Sequence, residues 1–206
     1  MRIRPVGGAA LLLELDDLWQ VEAMHGELVR RRADGRLPPV DEIVPAARTI
    51  LLDGLADPGS LALELAALAL PPRPAAAGGP AVELRAVYDG EDLPWVAERW
   101  GMTIEEAVAV HAGSELRAAF CGFAPGFAYL VGLPERCHLP RRPSPRPRVP
   151  TGAVAVAAGF TAVYPRPSPG GWHLIGRTDA VLWDPHRPHP ALLAPGTRVR
   201  FVPVDG

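Results

Sequence analysis

Residues 153–183, AVAVAAGFTAVYPRPSPGGWHLIGRTDAVLW, decide the fold class of this chain. Ala153–Ala158, Phe160–Tyr164, Trp172–Ile175 and Ala180–Trp183 are short apolar runs, the first three bounded directly by Gly or Pro and the last by Asp179 and Asp184. Runs this short between turn residues read as strands, because a helix needs about ten residues to bury a stripe. Working outward, Leu116–Cys121 is a further strand, and Arg198–Val204 follows the Pro195-Gly196 turn. Many short strands with frequent turns predict a compact barrel or sandwich for this part of the chain.

Upstream of the strands the periodicity becomes helical. Asp92 is read as the cap of a helix that ends at Gly101, and Thr103 with Glu106 has the spacing of a capping box for the next one. Ile104, Val108 and His111 fall on one face of that second helix, and Gly113 suits its C-terminal cap. Before these lies PPRPAAAGGP (71–80), which reads as a linker and divides the chain into domains 1–80 and 81–206. In the first domain Met1–Val6 is an extended lead-in and Ala9–Leu15 a buried strand. Asp16 or Asp17 caps a helix with the inner stripe Leu18, Val21, Met24 and Leu28. Val40–Val44 and Thr49–Asp53 are strands, and Asp57-Pro58 opens a second helix. Adding the strand Val82–Tyr88 gives the order β-α-β-β-α-β, the ferredoxin-like split βαβ.

Composition narrows the function classes. The net charge is -2, and all 21 basic residues are Arg. A chain without Lys has no P-loop lysine, no Schiff-base lysine and no lysine to carry biotin. It also lacks the basic excess of a nucleic-acid binder. Two cysteines make no disulfide framework, and His138, next to Cys137, lacks a metal-ligand spacing such as CxxC or HExxH, so no metal site is expected. No signal-peptide order and no membrane-length apolar run is seen, so a cytoplasmic location away from membranes is expected.

Three stretches have the composition of a binding site. In Gly122-Phe123-Ala124-Pro125-Gly126-Phe127-Ala128-Tyr129, Pro125-Gly126 fits the centre of a type II turn. The Gly122 and Gly126 amides are candidates to cradle an anion, with Phe123, Phe127 and Tyr129 as walls; the alternative is a tight loop whose aromatics are core. In PRRPSPRPRVP (140–150) five prolines stiffen four arginines, and Arg148 is the candidate to face a ligand. The alternatives are a charged edge over a barrel rim and a polyproline docking peptide. In the third stretch, Tyr164 to Trp172 followed by Gly176-Arg177-Thr178, Pro169-Gly170 is a turn, Gly171 allows close backbone approach and Trp172 starts a strand; Arg177 is a candidate anion site, the alternative being a surface salt-bridge partner. His111 is either a satisfied core histidine or a proton carrier, since the helix terminus favours its charge and burial opposes it.

Taken together, His111, Glu115, GFAPGFAYL (122–130), GLP (132–134), PRVP with Gly152, YPRPSPGGW (164–172) and LIGRT (174–178) resemble one family. It is the family of KipI-like proteins, allophanate hydrolase subunit 1 and the 5-oxoprolinase B subunit, known as the carboxyltransferase small-subunit domain. The resemblance implies an α+β fold with an N-terminal ferredoxin-like domain and a C-terminal cyclophilin-like β-barrel. It implies a partner, the C subunit homologue (carboxyltransferase subunit 2), and with it the A subunit. It also implies an ATP-dependent lactam hydrolase that opens 5-oxo-L-proline to glutamate, with ATP used at the level of the complex. Other relatives implied are a biotin-dependent urea carboxyltransferase component and an inhibitor of a histidine kinase. His111 and Arg177 are then expected to serve catalysis, and Gly122, Phe123, Pro125, Gly126, Phe127, Arg148, Tyr164, Gly170, Gly171 and Trp172 to bind substrate. One departure stands out: the family's frequent Gln is Phe160 here.

Overall fold

Asp17 leaves its carboxylate free to accept the Gln20 N–H at 3.0 Å, and this bond starts the first helix, α1 (Leu18–Ala33). Val21, Met24 and Leu28 form its buried stripe, while Arg30, Arg31 and Arg32 occupy the last turn. In the computed structural model, which describes residues 1–69 and 81–206, the chain falls into two compact units, Met1–Ala77 and Gly78–Gly206. The expected linker at 71–80 lies outside the described residues.

The first unit contains β1 (Arg2–Val6), β2 (Ala10–Glu14), α1, β3 (Glu42–Pro45), β4 (Thr49–Asp53) and α2 (Pro58–Ala66). Asp57 caps α2 by accepting the Ser60 N–H at 3.1 Å, with Pro58 in the first turn, where its missing N–H costs nothing. The sheet is antiparallel throughout, in the order β1-β2-β4-β3. Strand alternation turns Leu11, Leu13, Ile50 and Leu52 to one face, where they pack with Val21, Met24, Leu28, Leu61 and Leu65 in a single core.

Here the expected β-α-β-β-α-β order is corrected. The fourth strand of this sheet is Arg2–Val6, which pairs with β2 from Arg2↔Glu14 to Val6↔Ala10. The strand Val82–Ala86 pairs instead, in parallel, with Arg198–Pro203 of the second unit. The two candidates compete for similar edges, and the hairpin at Gly7 (φ +59) brings Arg2–Val6 to its edge over the shortest stretch of chain.

The second unit runs β5 (Val82–Ala86), α3 (Leu93–Trp100), α4 (Ile104–Gly113), β6 (Leu116–Cys121), β7 (Ala128–Val131), β8 (Arg146–Val149), β9 (Ala153–Ala157), β10 (Phe160–Val163), β11 (Ser168–Gly170), β12 (His173–Arg177) and β13 (Arg198–Pro203). Seven strands form one mixed sheet in the order β12-β9-β10-β7-β6-β13-β5. Val87, just past β5, exchanges backbone hydrogen bonds of 2.9 and 2.8 Å with Arg177 at the end of β12. That bridge joins the two ends of the sheet into a nearly closed β-barrel. Ala180–Trp183, expected as a strand, makes only the bridge Trp183↔Ala191.

β9 is buried along its whole length, and its alternation serves two cores. Val154 and Val156 join Leu84, Val96, Trp100, Leu130 and Phe201 beneath α3 and α4. Ala153, Ala155 and Ala157 join Phe127, Tyr164 and Trp172 on the opposite side. The capping box of α4 forms as the sequence predicts, with Thr103 accepting the Glu106 N–H and Glu106 the Thr103 N–H. The α4 face differs from expectation: Ile104 is exposed, Ala107 and His111 are buried, and Ser114 rather than Gly113 is the C-terminal cap.

Candidate functional site

The site begins with two chain segments that the sheet forces together. β8 and β11 pair as a separate two-stranded ribbon, with Ser168↔Val149 and Gly170↔Arg146 in register. This lays the arginine-proline arm against PSPGGW. Beside them, Ala124–Phe127 forms the expected turn: Gly126 sits at φ +82, and the Phe127 N–H donates to the Ala124 carbonyl at 2.9 Å. A Cβ on Gly126 would press on Trp183 and Leu182, so glycine serves both the turn and the close approach.

The three segments enclose a cavity of about 80 Å³ lined by Phe123, Phe127, Tyr129, Arg141, Tyr164, Pro169, Gly170, Gly171 and Trp172. Phe127 is its centre, meeting Phe123, Tyr129, Tyr164 and Trp172 edge-to-face with centroids 5.1, 5.0, 5.4 and 5.6 Å away. Such pairs contribute about 0.5–1.5 kcal/mol each beyond burial. The alanines of β9 and Ala162 make the space for these rings. Gly170 has no room for a Cβ against the Tyr164 hydroxyl. Burial pushes the Tyr164 phenol up, so it stays protonated and can donate a hydrogen bond. Phe160 packs edge-on against Phe120 and Tyr129 at 5.7 and 5.5 Å.

Phe123 is strained. It lies at φ +67, and the Ala124 N–H donates to the Gly122 carbonyl at 2.7 Å, closing a three-residue turn around it. A left-handed backbone costs a residue with a Cβ roughly 1–2 kcal/mol. Its ring is nonetheless 58% exposed.

Asp92 fixes the arm. One carboxylate oxygen accepts Arg142 and Arg146 at 2.9 and 2.8 Å, and the other accepts the Leu174 N–H at 2.7 Å. Arg146 also pairs with Glu91 at 2.6 Å. Burial raises the Asp92 pKa, but the Arg146 and Leu174 hydrogen bonds, with the charges of Arg146 and Arg142, outweigh it and hold it below the ordinary carboxylate range. The side chain therefore makes no capping bond to α3, the role its position suggested.

Of the residues expected to bind substrate, Phe123, Phe127, Tyr164, Gly170, Gly171 and Trp172 meet at the cavity. Gly122, Pro125 and Gly126 shape the turn without lining it, and the Gly122 N–H, expected to face a ligand, donates to the Phe127 carbonyl at 3.2 Å. Arg148 is exposed on β8 outside the lining, and Arg141 takes the place expected for it. Arg177 is exposed, ion-paired with Asp89 at 2.8 Å, and borders a separate cleft with Arg85, Thr178 and Asp179. His111 is sealed: the Tyr88 hydroxyl donates to its Nδ1 at 2.7 Å, and its Nε2 donates to Thr161 Oγ1 at 2.9 Å. Thr161 in turn donates to the Ala155 carbonyl at 3.0 Å, which fixes that direction. Burial pulls the His111 pKa down to about 3. At neutral pH it is an uncharged core residue outside the cavity. The sequence reading missed Arg141 and Asp92; the one available signal was an arm so dense in Arg that an acid had to hold it.

The pattern of the family described as "Carboxyltransferase domain, subdomain C and D" matches residues 1–193. The 5-oxoprolinase B subunit of Escherichia coli O157:H7 is 38% identical over 212 residues, covering 96% of this chain and 94% of its own. The chain belongs to the 5-oxoprolinase B-subunit family. A crystal structure of TTHA0988 matches with a TM-score of 0.77 and 38% identity over 100% of this chain, which spans 41% of that one. The Kluyveromyces lactis urea amidolyase shares the fold at a TM-score of 0.71 and 18% identity, over 98% of this chain and 15% of its own. In this member of the 5-oxoprolinase B-subunit family, the GFAPGF and PSPGGW stretches form the aromatic cavity. Its polar side chains among the described residues are Arg141, Tyr129 and Tyr164, a set that can bind and orient but supplies no base or nucleophile.

Proposed function

We propose that this chain is the B subunit of an ATP-dependent 5-oxoprolinase, acting with a C subunit homologue and an A subunit to convert 5-oxo-L-proline to L-glutamate in the cytoplasm. The observation that carries the reading is the near full-length relationship to the 5-oxoprolinase B subunit of Escherichia coli O157:H7, with the family's motifs closing round one small aromatic cavity. The cavity suits a small ring, to which its aromatic side chains present apolar faces. It does not suit ATP: about 80 Å³ is far below the roughly 300 Å³ at which drug-sized ligands begin to fit. The chain has no lysine to cradle a triphosphate, which supports a reading in which the partner subunit holds the nucleotide. We read the barrel as cyclophilin-like and the first unit as ferredoxin-like with its edge strand supplied by Arg2–Val6. A urea or amide carboxyltransferase role draws support from fold likeness alone, at 18% identity, and a kinase-inhibitor role has no observation in its favour.

The test is co-expression with the neighbouring C and A subunits, followed by ADP release on addition of 5-oxo-L-proline. Substrate-dependent turnover by the assembled complex, absent when this chain is omitted, is the expected result. An assembled complex that releases no ADP with 5-oxo-L-proline ends the reading.

A further inference from the structure

Two residues of the cavity are placed in ways that packing does not require. Phe123 combines a positive-φ backbone with 58% exposure, so its main chain is strained and its ring is only partly covered by its edge contacts. It meets Phe127 and Tyr164 at steep angles, 69° and 84°, and has no stacked ring partner among the described residues. Arg141 is the second. It is exposed at the same cavity and makes no ion pair or hydrogen bond among the described residues, whereas Arg142 and Arg146 are both committed to Asp92. The backbone around it is pinned on both sides. The Pro140 carbonyl accepts His173 Nε2 at 2.9 Å, and the Arg142 N–H donates to the Gly171 carbonyl at 2.8 Å. A guanidinium presented from a fixed main chain loses little freedom when it pairs with an anion.

We propose that the site recognises a flat ring bearing a carboxylate at two points: Phe123 stacks on the ring and Arg141 pairs with the carboxylate. This rests on the function proposed above and specifies how its substrate is held. The fork of an arginine matches a carboxylate in two parallel hydrogen bonds, and an aromatic face suits the planar amide of a lactam. Neither residue performs chemistry; both set specificity.

The assembled complex tests this with 5-oxo-L-proline as substrate and 2-pyrrolidinone, the same lactam without the carboxylate, as competitor. Arg141→Gln is expected to raise KM for 5-oxo-L-proline about tenfold or more with kcat within about twofold, while the inhibition constant of 2-pyrrolidinone stays unchanged. Phe123→Gly is expected to weaken both ligands by the same factor, about fivefold, and Phe123→Tyr to restore both. Glycine relieves the left-handed backbone but frees the unfolded chain and loses the Phe127 edge contact, so Phe123→Gly is expected to stay folded and to assemble. Equal losses on both ligands in Arg141→Gln, or an unchanged KM in folded Phe123→Gly, overturns the proposal. A wild-type complex with no turnover on 5-oxo-L-proline removes the function instead. The two-point contact is then judged on the full chain alone, by calorimetric titration with 5-oxo-L-proline. Binding that Arg141→Gln and Phe123→Gly both weaken supports it, and no binding by the wild type overturns it.

Discussion

Val154, Val156 and Thr161 point from β9 and β10 into the core under α4, whereas Ala153, Ala155, Ala157 and Ala162 of the same two strands point the opposite way, beneath the β8–β11 ribbon. The backbone is shared and side-chain size differs. On the valine side the polar groups Tyr88, His111 and Thr161 satisfy one another in a one-way chain of hydrogen bonds, with His111 and Thr161 buried. On the alanine side, small residues leave space that five large rings surround without filling, and Arg141 at the edge has no protein partner among the described residues. A sheet thus separates a polar network that serves stability from a cavity that serves recognition, and the residue types expected to do chemistry fall on both sides.

Substitutions on each side should behave differently. The largest effect is expected from His111→Ala, which opens a hole in the sealed core and leaves the Tyr88 hydroxyl without its acceptor, costing about 3–5 kcal/mol in denaturant unfolding. Folded variant protein in the assembled complex should keep its KM; a changed KM with intact stability would break the division between the faces. Next is Asp92→Asn, which removes the charge that Arg142 and Arg146 share and should cost about 2–3 kcal/mol, discounted for partial exposure of Arg142. Unlike His111→Ala, it should also raise KM, because the arm that carries Arg141 loosens. Gly170→Ala drives a methyl into the Tyr164 hydroxyl and should cost about 1–2 kcal/mol, with displaced tyrosine fluorescence as the second reading.

The sealed face also has a pH signature. The folded pKa of His111 is about 3, against 6.5 for the unanchored side chain. Between these values the unfolded chain binds a proton that the folded chain does not. Stability from this residue is therefore full above pH 6.5 and falls as pH drops towards 3, by up to about 1.4 kcal/mol per pH unit. Urea midpoints measured across that range should show the slope in the wild type and lose one proton's worth of it in His111→Phe. Arg177→Ala is the smallest change. Its exposed pair with Asp89 should be worth under about 0.5 kcal/mol, and KM should not move. A catalytic loss there would shift the site to the other cleft.

Much of the architecture could be read locally. Asp17, Asp57 and the Thr103/Glu106 pair cap the helices they were expected to cap, and the Pro125-Gly126 turn forms, because each depends on neighbours within four residues. GFAPGF and PSPGGW were each legible as binding-site candidates from their glycines and aromatics, and the structure brings them to one cavity. Which arginine faces the cavity was not legible. In an extended arm, one step of register turns a side chain to the opposite face, and the register of β8 is set by β11 and by Asp92, far away in sequence. Asp92 looked like a cap because that position and that residue type are sufficient for one. Only the folded chain brings Leu174 N, Arg142 and Arg146 close enough to claim both of its oxygens. His111 was ambiguous for the same reason: helix position and burial oppose each other, and the strength of burial belongs to the packing of α4 on β10 and β13.

By itself the sequence determined the helix ends, the turns, the short-strand character of the second unit and, through its motifs, the family. Tertiary structure decided which edge Arg2–Val6 takes, which histidine is sealed and which arginine of the arm borders the cavity. Those outcomes depend on long-range register and on the competition of several basic side chains for one buried carboxylate, neither of which is written into any short stretch of chain.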